Sequence, residues 1–200
     1  MKNISKVLVV IIVLVILSNP LVATTNNLIN YALYMNEREV IHSDRLNISN
    51  SIDRQQMENR VEAIKKYSKE YNYIYDSIDY EDVFIDLFSI IIHETRFVNY
   101  GELDNGLSFG FISMRWGTAK EIAARYDIEY TYDYDFYDTE IQAKLITLYY
   151  YESLKFFDGD RDKSISSYNL GRYNIVNKYR GRNYFYIVNG IKNYVKDEIL

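Results

Sequence analysis

Residues 88–97 read FSIIIHETRF, and this segment is the most informative one for predicting the fold and the function. Counting back from Glu94 by helical steps reaches Ile91 and Leu87, so the glutamate shares a helical stripe with large apolar side chains. We expect this stripe to face the interior. Burial disfavours a charged carboxylate and raises its pKa, which suits a general acid working near neutral pH. A buried acid is also compatible with a structural ion pair, and the segment alone leaves both roles open.

The opposite stripe of the same helix is polar and carries His93, Ser89 and Asp86, with Arg96 just beyond. Polar residues on one face of an amphipathic helix usually face water, so we expect these side chains to be solvated. The chain has only two histidines and no cysteine. We therefore expect no metal site and no cofactor.

The composition limits the number of domains, the cysteine chemistry and the kind of partner. The chain has 200 residues, which is enough for a single domain with a hydrophobic core. The absence of cysteine excludes disulfides, thiolate metal sites and a cysteine nucleophile. The net charge of −5 gives no sign of a nucleic-acid partner.

The N-terminus has the pattern of a targeting or anchoring segment. Two lysines precede an apolar run at residues 7–17, and the apolar character resumes up to Ala23. We predict that residues 1–23 are a signal peptide or a hydrophobic helix anchored in the inner membrane. Retention is favoured slightly, because Leu21 is a poor residue at the −3 position of a cut after Ala23. The basic start predicts that the rest of the chain is extracytoplasmic.

Residues 24–52 are predicted to be a linker, and residues 53–200 a mainly α-helical domain. The linker mixes polar and charged residues around an apolar patch, which we expect to form a short helix against either the membrane or the domain. From residue 53 onward the 3.6-residue period dominates. Asp53 and Asp138 are placed to cap helices, and Thr118 with Glu121 has the pattern of a capping box.

Four short motifs follow one another along this helical domain. They are ETRF at 94–97, GLSFGFIS at 106–113, SSYNLG at 166–171 and RNYF at 182–185. In this order and spacing they resemble the motifs of the soluble lytic transglycosylases, the goose-lysozyme-like enzymes of glycoside hydrolase family 23 that cleave bacterial peptidoglycan. The resemblance covers about residues 80 to 195. It implies a lysozyme-like α-helical domain with a small β-hairpin, and Asn-Gly in the second motif also favours a tight hairpin.

The first two motifs carry the acid and the sugar-binding hairpin of the family. The resemblance implies that Glu94 is the sole catalytic acid and base. Thr95 replaces the usual serine, whose hydroxyl positions the substrate or the acid. Gly110 would let the backbone approach the sugar closely. Ser113 stands where the family has glutamine, so the substrate hydrogen bond of that glutamine is in question.

The last two motifs supply the opposite wall of the expected cleft. By resemblance, Tyr168 points its hydroxyl into the cleft and Asn169 holds local backbone or sugar. Tyr184 matches the family's tyrosine beside the acid. Together these residues are the predicted substrate-binding set.

The activity implied by the resemblance is cleavage of the MurNAc-β-1,4-GlcNAc bond with formation of a 1,6-anhydro-MurNAc end, assisted by the substrate's N-acetyl group. The first alternative is a lysozyme-type muramidase in which Glu102 or Asp104 activates water. The second is a non-catalytic peptidoglycan-binding scaffold module, with Ser113 as a sign of lost activity. The expected partners are glycan strands, the membrane through the N-terminal segment and, if the chain is anchored, an envelope-spanning complex.

Overall fold

The computed structural model describes residues 20–43, 52–103, 106–129, 137–178 and 182–199. In this part of the chain the protein is mainly helical, with one small antiparallel sheet, as predicted. The helices are α1 (Pro20–Ser43), α2 (Arg54–Glu70), α3 (Tyr80–Glu94), α4 (Trp116–Arg125), α5 (Thr139–Phe156), α6 (Arg161–Leu170), α7 (Arg172–Lys178) and α8 (Arg182–Tyr194). A 3-10 turn lies at Asn72–Ile74, and a π-helical turn, Val195–Ile199, continues α8.

The sheet lies between α3 and α4 in the chain. Its strands are β1 (Tyr100–Leu103), β2 (Ser108–Gly110) and β3 (Met114–Arg115), paired antiparallel in that order. Tyr100 lies opposite Gly110, and Phe109 lies opposite Met114. The predicted hairpin is therefore formed by β1 and β2, although Asn105 of its turn lies outside the described residues.

Helix α3 is the central element of the core. Every residue from Val83 to Ile92 is buried, because α3 packs against both α2 and α8 while α2 also packs against α5. The expectation that Asp86 and Ser89 are solvated is wrong for this reason. Their face of the helix is covered by neighbouring elements that are distant in sequence. The Ser89 hydroxyl is satisfied by donating to the Ile85 carbonyl at 2.8 Å.

Asp86 is the centre of a buried ionic cluster. The Arg161 guanidinium of α6 donates to both of its carboxylate oxygens, at 2.7 and 2.8 Å. Tyr150 of α5 donates its hydroxyl at 2.7 Å, and the Lys192 ammonium of α8 lies 3.4 Å away. Burial disfavours the charge on Arg161, but the contacts with Asp86 outweigh burial and raise the pKa of the guanidinium above its ordinary value. The cluster thus joins α3 to α5, α6 and α8.

The helix starts follow the expected caps in two cases out of three. The Asp53 carboxylate accepts from the Gln56 amide at 2.7 Å, and Asp138 caps α5 in the same way. The capping box at Thr118 is wrong, because α4 begins earlier, at Trp116, and has no side-chain cap. Its expected partner Glu121 instead forms an ion pair with Arg125 at 2.5 Å.

The N-terminal predictions fall largely outside the described residues, since residues 1–19 are not among them. The first part of the segment expected to be a linker is helix α1, which packs against α2. Leu28, Ile29 and Ala32 of α1 are buried in the core, so the apolar patch lies against the domain. Within the described residues, none of the helices combines the length and apolar character that crossing a membrane requires.

Candidate active site

An open cleft of about 420 Å³ lies where the end of α3, the sheet and α4 to α7 meet. The residues lining it include Glu94, Ser113, Arg115, Tyr149, Tyr168 and Asn169. These side chains come from segments far apart in sequence. The cleft therefore contains four of the residues predicted from the motifs, together with Arg115 and Tyr149, which were not predicted.

Glu94 is the last residue of α3 and is only partly buried. The helix ends because Arg96 and Phe97 adopt left-handed backbone angles, with φ of 52° and 64°. Such angles are costly for residues other than glycine. The full burial of the Phe97 ring, which packs between Phe88 and Phe111, compensates for this cost. The sharp end of the helix leaves Glu94 at the boundary between core and cleft.

Tyr168 reaches the cleft from α6. Its hydroxyl donates to the Ile112 carbonyl, and its ring packs edge-to-face on Tyr149 with a centroid distance of 5.7 Å. Burial raises the pKa of Tyr168 well above its ordinary value, and the Glu94 carboxylate raises it further. The phenol is therefore neutral at physiological pH.

Tyr184 approaches the same carboxylate from α8 and is only 8% exposed. Its hydroxyl makes no close, well-aligned hydrogen bond to a described residue. Burial raises the pKa of Tyr184 well above its ordinary value, and the nearby Glu94 carboxylate adds to the shift. The His93 ring packs against Tyr184 at 5.1 Å between centroids. His93 is thus half-buried against the site, contrary to the expectation that it is solvated.

Thr95, whose hydroxyl was predicted to position the substrate or the acid, is fully buried and does not line the cleft. Its hydroxyl donates to the Phe111 carbonyl, which ties the end of α3 to the segment after β2. The side chain therefore positions the backbone on both sides of the site. It has no surface with which to contact a bound sugar.

Gly110 also lies outside the residues that line the cleft. It has a φ of +74°, and a Cβ atom there would lie 1.9 Å from Oε1 of Gln142. Gln142 is fully buried, accepts from the Phe111 amide at 2.8 Å and donates to Asn99 at 3.1 Å. Gly110 therefore makes room for a structural glutamine rather than for a sugar. Sequence reasoning missed Gln142, although a lone amide on the inward stripe with Leu145 was a signal.

Ser113 and Asn169, both predicted to bind substrate, line the cleft. Ser113 is partly exposed in a left-handed conformation with a φ of 51°, and Asn169 is exposed. The alternative bases are less well defined. Glu102 lies on β1, but its side chain is not described, and Asp104 lies outside the described residues.

Tyr149 of α5 was missed by the sequence analysis. Its hydroxyl donates to the Ser167 carbonyl at 2.9 Å, and the Arg172 guanidinium lies over its ring at 4.6 Å. It supports Tyr168 from behind. Its place one turn after Leu145, on the inward stripe of α5, was the available signal.

Among the described residues that line the cleft, Glu94 is the only carboxylate. It can exchange a proton with a bound ligand, while the neutral Tyr168 and Tyr184 phenols beside it can only donate hydrogen bonds or accept them weakly. In the part of the site that the structure describes, one carboxylate that can act as acid and base therefore lies at an open groove. No protein-family model matches the chain, and a search of curated proteins found no match.

Proposed function

We propose that this protein is a peptidoglycan lytic transglycosylase with a lysozyme-like domain, in which Glu94 is the single acid and base. One observation carries the proposal. Glu94 lines an open cleft with Tyr168, and it acts electrostatically on Tyr184, although the three residues belong to separate motifs. The resemblance of those motifs to the soluble lytic transglycosylases supplies the class of reaction.

In the first step Glu94 donates its proton to the oxygen that links MurNAc to GlcNAc, and the bond from that oxygen to C1 of MurNAc breaks. The N-acetyl group of the same MurNAc stabilises the positive charge at C1. In the second step the Glu94 carboxylate takes the proton of the C6 hydroxyl, and the C6 oxygen bonds to C1. The product is a 1,6-anhydro-MurNAc end, formed without water because the nucleophile is already held in place.

The phenols support this cycle through their neutrality. A protonated Tyr184 hydroxyl can donate a hydrogen bond to the Glu94 carboxylate after the first proton transfer, when the carboxylate is charged. Its raised pKa keeps that proton on the phenol. The negative charge therefore stays on Glu94, which is then the base for the second step.

The same proposal includes the location and partners. The domain acts on glycan strands outside the cytoplasm, and the basic and apolar N-terminal segment holds it at the inner membrane or directs its secretion. An anchored enzyme would cut only the wall near its own attachment point. An envelope-spanning complex is the kind of partner that needs such a local opening.

The test is digestion of purified sacculi by the wild type and by Glu94→Gln. We expect the substitution to abolish cleavage while the circular dichroism spectrum stays unchanged. Glu81→Gln is the matched control, because Glu81 is an exposed glutamate in the first turn of the same helix. It should cleave like the wild type. Residual cleavage by Glu94→Gln within about tenfold of the wild type would overturn the role of Glu94.

Mass spectrometry of the products separates the alternatives. Anhydro-muramyl ends support the transglycosylase, whereas mainly reducing ends indicate a muramidase that uses water, with Glu102 or Asp104 as the base. Binding of sacculi by the wild type with no loss of turbidity indicates a scaffold module.

A further inference from the structure

The cleft contains one cation that the proposed reaction does not use. Arg115 precedes α4, is exposed, and is the only basic residue among the described residues that line the cleft. Its side chain forms no hydrogen bond or ion pair with a described residue. The chain as a whole is acidic, with a net charge of −5. Other arginines of the described fold, such as Arg161 and Arg172, are held by acids.

We infer that Arg115 is a specificity-determining residue that binds a carboxylate on the muramyl unit of the glycan, an inference that rests on the proposed function. A guanidinium presents paired N–H donors that match the two oxygens of a carboxylate. Other polar residues, among them Thr118 and Asn174, line the same cleft. The uncapped start of α4 beside it adds partial positive charge.

Arg115 also offsets the electrostatic repulsion between the acidic protein and an acidic glycan strand. An acidic protein repels an acidic polymer, and the cleft itself holds the Glu94 carboxylate. A cation lining the same cleft attracts a negatively charged substituent and fixes where it lies. The muramyl unit carries such a substituent in either of two forms. It is the lactyl carboxylate on a peptide-free strand, and the peptide carboxylates on a peptide-bearing strand.

The test is binding rather than turnover, measured by calorimetry with full-length protein carrying Glu94→Gln so that the ligand is not cut. The ligands are peptide-free strands and peptide-bearing strands, each with its carboxylates free or converted to amides. We expect Arg115→Met to weaken binding of the free-carboxylate ligands about tenfold and to leave the amidated ligands unchanged. Arg115→Lys should retain part of the preference, because it keeps the charge but not the paired donors.

Lys155→Met is the matched control, since it removes the same charge at an exposed position of α5 outside the cleft. It should bind every ligand as the parent does. Which free-carboxylate strand loses affinity with Arg115→Met identifies the lactyl or the peptide group as the one recognised.

Two results would overturn the assignment, and they differ in their consequence. Equal effects of Arg115→Met on free and amidated strands reject the role of Arg115 and leave the proposed function standing. Absence of binding to any strand by the parent protein rejects both.

Discussion

Two of the carboxylates on helix α3, Asp86 and Glu94, are roughly two turns apart and lie in opposite surroundings. Asp86 is fully buried and held by Arg161, Lys192 and Tyr150. Glu94 ends the helix at the edge of an open cleft, and its carboxylate acts electrostatically on the Tyr168 and Tyr184 phenols. The groups that surround each carboxylate indicate its role. A buried carboxylate bonded to cations from other helices holds the fold together, whereas a carboxylate at the edge of an open cleft can exchange a proton with a bound ligand.

The Asp86 cluster also shows why an ionic group is tolerated in the core. Burying a charge is costly unless its partners supply opposite charge and hydrogen bonds. Here both oxygens of the carboxylate accept hydrogen bonds from Tyr150 and Arg161, and Lys192 of a third helix pairs with it. Removing one member leaves the remaining charges without compensation. Replacing the carboxylate by its amide should therefore destabilise the fold much more at Asp86 in the cluster than at Glu94 in the cleft.

The largest expected effect is on stability, from Asp86→Asn. It should lower the free energy of unfolding by about 3–5 kcal/mol, because it leaves the Arg161 charge buried without its main partner. Urea unfolding followed by circular dichroism measures this. Asp82→Asn is the control, since Asp82 also pairs with Arg161 but is partly exposed, and it should cost about 1 kcal/mol or less. A loss for Asp86→Asn no greater than that of the control would remove the distinction between the two carboxylates.

The second largest expected effect on stability concerns the contact between Gly110 and Gln142. Gly110→Ala should lower the free energy of unfolding by about 1–3 kcal/mol, because the added methyl group collides with Gln142 and the backbone is left-handed. In the double variant with Gln142→Ala, the share of the stability loss that comes from the collision should disappear. A double-mutant cycle measures this share. Gly117→Ala in α4 is the control, as no atom lies near its added methyl group. If the losses in the free energy of unfolding add in the double variant, Gly110 is not required to make room for the Gln142 side chain.

Alkaline pH should lower the stability of the fold through Tyr168 and Tyr184, the two phenols near Glu94. Their pKa values are raised above the ordinary value of 10.0 in the folded protein. Above about pH 10 the unfolded chain loses phenol protons that the folded chain keeps, so stability falls as the pH rises. Tyr184→Phe should reduce that loss by about 1 kcal/mol near pH 11, measured by thermal unfolding across the pH range. Tyr186→Phe, which removes an exposed phenol from the same helix, is the matched control.

The smallest expected effect is that of Glu94→Gln on stability. The side chain is partly exposed and retains its shape in the variant, so the free energy of unfolding should change by less than about 1 kcal/mol. Urea unfolding beside Asp86→Asn gives the direct comparison. A loss as large as that of Asp86→Asn would place Glu94 among the structural acids and weaken its proposed chemical role.

The sequence by itself determined the features that local rules control. The helical period and the caps at Asp53 and Asp138 are set by residues within one turn of each other, and α2 and α5 begin where these rules place them. The motif order was enough to select Glu94, Tyr168 and Asn169 as residues that line one cleft. The cap predictions succeed because the interactions behind them join residues close in sequence, whereas the cleft residues were selected by the resemblance of motifs that lie far apart in the chain.

Only the tertiary structure decided which side chains are covered and by what. Asp86 has the sequence pattern of a solvated residue, and it is buried because α5, α6 and α8 bring a phenol and two cations to it. Thr95 and Gly110 lie in the expected motifs, yet packing against the Phe111 backbone and Gln142 turns both away from the cleft. Periodicity assigns a residue to a face of its own helix. What lies opposite that face depends on contacts between segments distant in the chain, which no local pattern encodes.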